Sequence, residues 1–436
     1  MAVTTPTVTN EIQRLRSVVV HRPGDEVARM TQHQLDHLLF DDILSPAAAV
    51  DEHDLMTAIL AGAGAEVLDV RDLLVDALGQ ASGRERAALL DAVADQAAAG
   101  RLAELVRDWP AERLAAALIE GVAWKDVADA PMTLARLRRD LDRGDDVALS
   151  PLPNLMFMRD PCMTVHDRIV VGRMATAARA REPLLVAFAL RHASAVVAPH
   201  LLFDEDSVSR HRRHERLEGG DVLVIAPEVI VVGCSERTST HTVERLAREA
   251  IFDAFPAVER IYAVIMPEQR SIMHLDTVIT QIDERLFLGH EPLVAGERAC
   301  PMARLERGRA ATLVGGATLL DVLRDELGRE VTLVPCGGTD PVHQEREQWT
   351  DGANALCLAP GKIILYARNV QTIATLRDQG FEETALHVVQ PVEQRVELIA
   401  EGMRRERTVF GVSGSELSRA RGGARCLTMP LLRDAG

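Results

Sequence analysis

Four short polar segments place chemically capable side chains at the heads of apolar runs. In the run NLMFMRD, from Asn154 to Asp160, positions two apart share a face if the chain is extended. Asn154 and Asp160 are then expected to point together, with Arg159 opposite. In Glu218-Gly219-Gly220-Asp221, two glycines between two acids suggest a bend or a close backbone approach that brings the carboxylates together. His274 and Asp276 flank Leu275 just before the apolar run VIT. On one strand face, that imidazole could transfer protons and that carboxylate could bind a cation. The last segment, GSELSRARGGARC, carries Arg419, Arg421 and Arg425 and ends at Cys426, a setting that favours thiolate. Taken singly, these read equally well as a solvated strand, a turn, a structural histidine and a buried cysteine. Together they supply a thiol, an imidazole and several carboxylates with no phosphate loop or dinucleotide fingerprint. That set points to nucleophilic attack on a cationic carbon centre.

The groups can converge only if the elements behind them repeat. A short strand, a polar turn and a second strand recur as CMTVHDRIVVGRM from Cys162, DVLVIAPEVIVVGCSERT from Asp221, DTVITQIDERLFLGH from Asp276 and NALCLAPGKIILYARN from Asn354. The copies start roughly 55 to 80 residues apart, enough for a hairpin, a helix and another strand, so repeated units around an axis are expected. SVVVHRP from Ser17 has no preceding partner and CLTMPLL from Cys426 has no following one. Pairing them adds a fifth unit and closes the ring without exposed edges. Helical periodicity in HTVERLAREAIFDAF (His241 to Phe255) and ATLLDVLRDELGRE (Ala317 to Glu330) makes the class α/β.

From about Leu73 to Asp146 the chain turns rich in Ala, Leu, Arg and Asp, with Ser82 and Glu85 spaced as a capping box before Leu89, Leu90 and Val93. The expected division is a catalytic α/β part, 1–72 and 147–436, with an all-helical insertion, 73–146, that serves structure or oligomerisation.

The formal net charge of −16 repels phosphate backbones and anionic headgroups, so neither nucleic acid nor a membrane is an expected partner, and a small cation suits the field better. Hydrophobic residues at 47% allow a real core, while aromatics at 3% leave it to Leu, Val, Ile and Ala. The amino-terminal residues have no apolar stretch behind a basic head, no later run approaches a membrane span, and six cysteines lie without close pairs. A cytoplasmic protein is expected. No C-x-x-C or H-E-x-x-H spacing supports a metal site, and His211 and His214, an i, i+3 pair in a basic run, read as a solvated loop.

The blocks NLMFMRDP, LEGGDV, MHLDTV, REQWTDGANAL and GSELSRARGGARCLTMPL, with SVVVHRPGDE and LLFDDIL before them, resemble in order the signature blocks of arginine deiminases, from about Ile12 to Leu431. The resemblance implies a five-bladed α/β propeller of the guanidine-modifying superfamily. It implies a cofactor-free hydrolase that converts the guanidinium of free L-arginine to the ureido group of citrulline through a covalent cysteine adduct. It makes Cys426 the nucleophile and His274 the general acid and base. Asp160 and Asp276 would hold the guanidinium, and Glu218 would orient the site beside His274. Asn154, Arg179 and Arg237 would engage the substrate carboxylate and Asp221 the α-amino end. Phe157 would pack on the aliphatic part, and Arg421 would belong to a mobile covering loop.

Ala420, Ala424, Thr350 and Ser45-Pro46 depart from the family pattern, which puts loop behaviour in doubt more than reaction type. Agmatine deiminase, dimethylarginine hydrolase, amidinotransferase and a catalytically silent arginine-binding protein are the rival readings. Arg179 and Arg237 favour an amino-acid substrate, and retention of Cys426 and His274 favours catalysis.

Overall fold

The computed structural model describes residues 3–97, 102–127, 134, 147–204 and 215–435. Among these residues, five sheets share one pairing pattern: an antiparallel pair, a hairpin in four of them, one strand of which also pairs in parallel with a strand that follows a helix. The hairpin Cys162–Val165 and Arg168–Val171 is followed by the helix Glu182–His192 and the parallel strand His200–Leu202. Val222–Ala226 and Val229–Cys234 lead through a helical stretch from Thr240 to Ala254 to Arg260–Ile265. Ile279–Gln281 and Leu286–Gly289 lead to Thr332–Pro335. Leu356–Ala359 and Lys362–Tyr366 lead to Thr408–Val412, with Glu382–Leu386 parallel at the outer edge.

The two ends of the chain build the fifth sheet. Met429–Arg433 runs antiparallel to Leu15–Val20, and Leu15–Val20 runs parallel to Glu66–Asp69 beyond the helix Pro46–Gly62. Leu15–Val20 is the central strand and is buried along almost its whole length, which is why SVVV reads as a continuous apolar run instead of an alternating one. The second sheet is larger than its sequence repeat: Met302–Glu306 and Thr312–Val314, which belong to the third repeat, add to its far edge.

The capping box read from the sequence is realised atom for atom. Ser82 Oγ accepts from the Glu85 amide while Glu85 accepts from the Ser82 amide, and the helix Gly83–Gln96 buries Leu89, Leu90 and Val93. Thr318 and Asp321 do the same for Leu319–Leu327, which Gly328 ends in the left-handed conformation. The helical segment opens at Val70, where Asp69 caps the Arg71 amide. Its described apolar residues are continuous with the rest of the core: Leu73, Leu74 and Leu78 pack with Leu185, Val186 and Leu190 of the helix Glu182–His192 in one apolar cluster. Residues 98–101, 128–133 and 135–146 of this segment, and 205–214 with His211 and His214, lie outside the described residues. No helix among the described residues is long and apolar enough to cross a membrane.

Candidate active site

Each of the four chemically interesting segments immediately precedes a strand of a different sheet, and a circuit of hydrogen bonds joins them with a fifth segment at Asn354, just before Leu356–Ala359. The Arg159 amide donates to Cys426 O (3.1 Å) and the Gly219 amide to Asp160 O (3.2 Å). The Leu275 amide donates to Asp221 Oδ1 (2.9 Å), and Asn354 Nδ2 donates to Asp276 O (3.1 Å). Asn354 Oδ1 then accepts from both the Arg425 and Cys426 amides (3.1 Å each), which closes the circuit. The adjacent glycines make it fit. A Cβ on Gly219 would lie 2.0 Å from Arg159 O, and one on Gly220 would lie 2.7 Å from the His274 ring.

Local structure differs from the extended reading at two of these segments. Pro153–Met156 and Leu275–Thr277 are single 3-10 turns, so period-two alternation does not place their side chains. The expected groups still meet, because each turn is pinned by the circuit. Asp160 faces His274, with Oδ1 3.8 Å from Nδ1, while Arg159 points away and donates to Arg425 O. His274 Nε2 lies 2.9 Å from Glu218 Oε2, and Cys426 Sγ lies 3.7 Å from Asp276 Oδ2.

A narrow cavity of about 30 Å³ opens at this junction, lined by Asn154, Phe157, Asp160, Arg179, Arg237, His274, Arg421 and Cys426. Leu39, Arg270, Met273, Thr277 and Ala420 complete the lining. That space holds about two waters, so the covering segments must move before an amino acid enters. Arg421, left-handed at φ 70°, stacks its guanidinium 3.3 Å from the Trp349 ring centre and donates to Trp349 O, which parks it at the cavity edge. Arg421 also donates to Arg270 O (3.4 Å), and the Arg270 side chain reaches Leu39 O and Asp41.

Burial and neighbouring charges set the protonation states. Burial pulls the His274 imidazole down, but Asp160, Glu218 and Asp221 together push it up to about 10, so it rests as imidazolium. Burial pushes the Cys426 thiol up, and Asp276, Asp160 and Asp351 push it further. The expectation that three arginines favour thiolate is therefore wrong for the free protein. Arg419 turns to Glu416 and Asp42, Arg421 turns to Trp349, and Arg425 spends its guanidinium on Asp276 Oδ2 (2.7 Å) and Glu11 (3.1 Å).

Two expected substrate contacts are occupied from within. Asp221 is fully buried behind His274, where Ser235 Oγ and the Leu275 amide donate to it, so it braces the backbone and does not line the cavity. Burial leaves its carboxyl raised to about 7. Arg179 lines the cavity, yet its guanidinium is shared among Asp160 (2.8 Å), Glu182 (2.9 Å) and Glu218 (3.7 Å). Arg237 is less engaged, with Glu236 3.8 Å from its Nε. Asn154 Nδ2 donates to Leu38 O, and the Phe157 ring lies against Gly422. Ligand atoms of Asp160, Glu218 and His274 lie within 4.8 Å of one another, a spacing that could hold a metal ion. Arg179 already supplies positive charge beside Asp160 and Glu218 in that corner.

The roles of Glu182, Asn354, Arg425 and Glu11 escaped the sequence reading. No periodicity marks a side chain whose partner lies many residues away. The acid at the amino-terminal end of Glu182–His192, three residues after Arg179, was the only local clue.

Comparison with known proteins identifies the family. The family model described as arginine deiminase matches residues 36–433. An arginine deiminase of Mycobacterium bovis (strain BCG) is 35% identical over 430 residues, covering 98% of each chain. That of Mycoplasma capricolum is 32% identical over 434 residues, covering 98% of this chain and 97% of the relative. Among solved structures, the amidinotransferase SxtG from Microseira wollei shares the mixed α/β fold, with a TM-score of 0.50 at 15% identity over 99% of this chain and 98% of that one. The chain belongs to the arginine deiminase family.

Proposed function

We propose that this protein hydrolyses free L-arginine to L-citrulline and ammonia through a covalent Cys426 adduct. The observation that carries the reading is the closed circuit, which brings the Cys426 thiol, the His274 imidazolium and the Asp160 carboxylate to one cavity, with the buried Asp276 carboxylate 3.7 Å from the sulfur. The same circuit, with five sheets of one pairing pattern, supports a five-bladed α/β propeller. Residues 73–146 would be a helical insertion between its fifth and first described blades.

Asp160 and Asp276 each give one oxygen to a chain arginine and keep lone pairs for the planar N–H groups of a substrate guanidinium. Arg237 and Asn154 receive the substrate carboxylate, with Arg179 beside them, and Phe157 packs on the methylenes. A cation about 4 Å from sulfur, at an effective dielectric near 20, favours thiolate by about 4 kcal/mol, or about a thousand-fold. The thiol proton leaves to solvent, and the sulfur bonds to the guanidinium carbon. The C–N bond then breaks as His274 donates a proton to the departing ammonia, which leaves an S-linked thiouronium. Water adds to that carbon as His274 takes one of its protons, the C–S bond breaks as the remaining hydroxyl proton passes to the departing sulfur, and citrulline and the thiol separate. Glu218 holds His274 in place throughout.

Purified protein given L-arginine in EDTA should form citrulline and ammonia in equal amounts and should not act on agmatine, which lacks the carboxylate. No citrulline, loss of turnover in EDTA, or amidino transfer to an added amine would each defeat the proposal. The resting thiol gives a second expectation. Thiolate increases with pH, so Cys426 alkylation by iodoacetamide without substrate should be slow at neutrality and still climbing at pH 9. A plateau below neutrality would mean a preformed thiolate and would rule out activation by substrate.

A further inference from the structure

Resting on the deiminase reading, we propose that Glu52, on the helix Pro46–Gly62, is a positioning residue that holds the substrate-covering loop shut. Glu52 is buried, at 6% exposure, and its carboxylate accepts three successive backbone amides from across the chain: Ser415 (2.7 Å), Glu416 (3.1 Å) and Leu417 (3.0 Å). These begin the 3-10 turn Leu417–Ala420, and the next residues in chain order are Ala420 and Arg421 of the cavity lining. Three converging N–H donors to one buried carboxylate form a charge-assisted grip stronger than a neutral turn would have.

The rest of the loop is fastened so that Glu52 controls its middle. The Tyr366 ring packs under Gly414, where a Cβ would lie 2.1 Å from it, and the Tyr366 hydroxyl donates to Gly422 O (2.7 Å). The two ends are thus tied to one side chain. On the outer side the Ser45 amide donates to Glu416 (2.9 Å), and Arg419 pairs with Glu416 and Asp42, contacts exposed to solvent and weaker for it. The reacting groups are held by other means: Cys426 by Asn354, His274 by Glu218 and Asp276 by Arg425. Loosening Glu52 should therefore reduce retention of substrate in ground and transition states alike, and leave the chemical step nearly intact.

Glu52→Gln keeps the shape but turns an NH₂ donor toward amides that need an acceptor. KM for arginine should rise about ten-fold with kcat within about three-fold of wild type. Hydrogen exchange of the amides at 415–417, measured without substrate, should quicken about ten-fold with the melting temperature little changed. Unchanged KM and unchanged exchange would overturn the proposal, as would equal losses in kcat and thermal stability, which mark a merely structural role. If Glu52→Gln does not fold, Glu52→Asp, with its shorter reach, is read by the same two measurements. A wild-type protein inert toward arginine would defeat the deiminase reading, while the exchange result would still decide whether Glu52 latches the loop.

Discussion

Cys426→Ser should lose citrulline formation by about 10⁵-fold or more while remaining folded. The loss is large because a serine hydroxyl gives up its proton far less readily than a thiol, and a bound cation worth about a thousand-fold cannot bridge that difference. The fold should survive because the backbone of Cys426, not its sulfur, carries the circuit: its carbonyl accepts from Arg159 and its amide donates to Asn354. Radiolabelled arginine, capable of reporting one turnover per protein in hours, is the suitable assay, with the melting curve as control. Turnover within a hundred-fold of wild type would move the nucleophile elsewhere.

His274→Gln should lower kcat by about 10³-fold, the usual worth of a positioned acid and base. The sign of the accompanying pH effect follows from the charge around it. In the wild type, acids hold the imidazole protonated up to about 10, so kcat/KM should fall as pH rises through that region and the proton donor is lost. The glutamine variant should lack this limb. Because His274 serves both halves of the reaction, intact-mass spectrometry of the variant should also reveal protein with the substrate amidino group still attached. A high-pH limb that persists unchanged in the variant would assign the titration to another group.

Much of this arrangement was legible in the sequence because hairpins announce themselves locally. Apolar runs broken by DR, PE, DE or PG turns located four sheets, and the two unpaired runs left over pointed to each other across the whole chain. The segments that carry chemistry were legible by residue type but not by conformation. Asn154 to Asp160 and His274 to Asp276 were read as strand, whereas both are tight turns whose direction is fixed by hydrogen bonds to other segments. Electrostatics were the least legible. Three arginines near a cysteine suggested a low thiol pKa, yet each is claimed by an acid or an aromatic ring from a distant element, and Arg425 is claimed by Glu11 from the other end of the chain. Glu52 has no signature at all: a glutamate within a helix is ordinary until the loop that needs it is folded beside it.

The pairing of Leu15–Val20 with Met429–Arg433 sets when the protein becomes active as well as how it is built. Cys426 stands three residues before the strand that closes the last sheet, and that strand finds its partner more than 400 residues back along the chain. During synthesis the other four sheets can assemble from contacts close in sequence, but this junction must wait until Met429–Arg433 has been made. A growing chain therefore carries its acids and its histidine long before its sulfur, and no copy that lacks Cys426 and the strand after it can consume arginine.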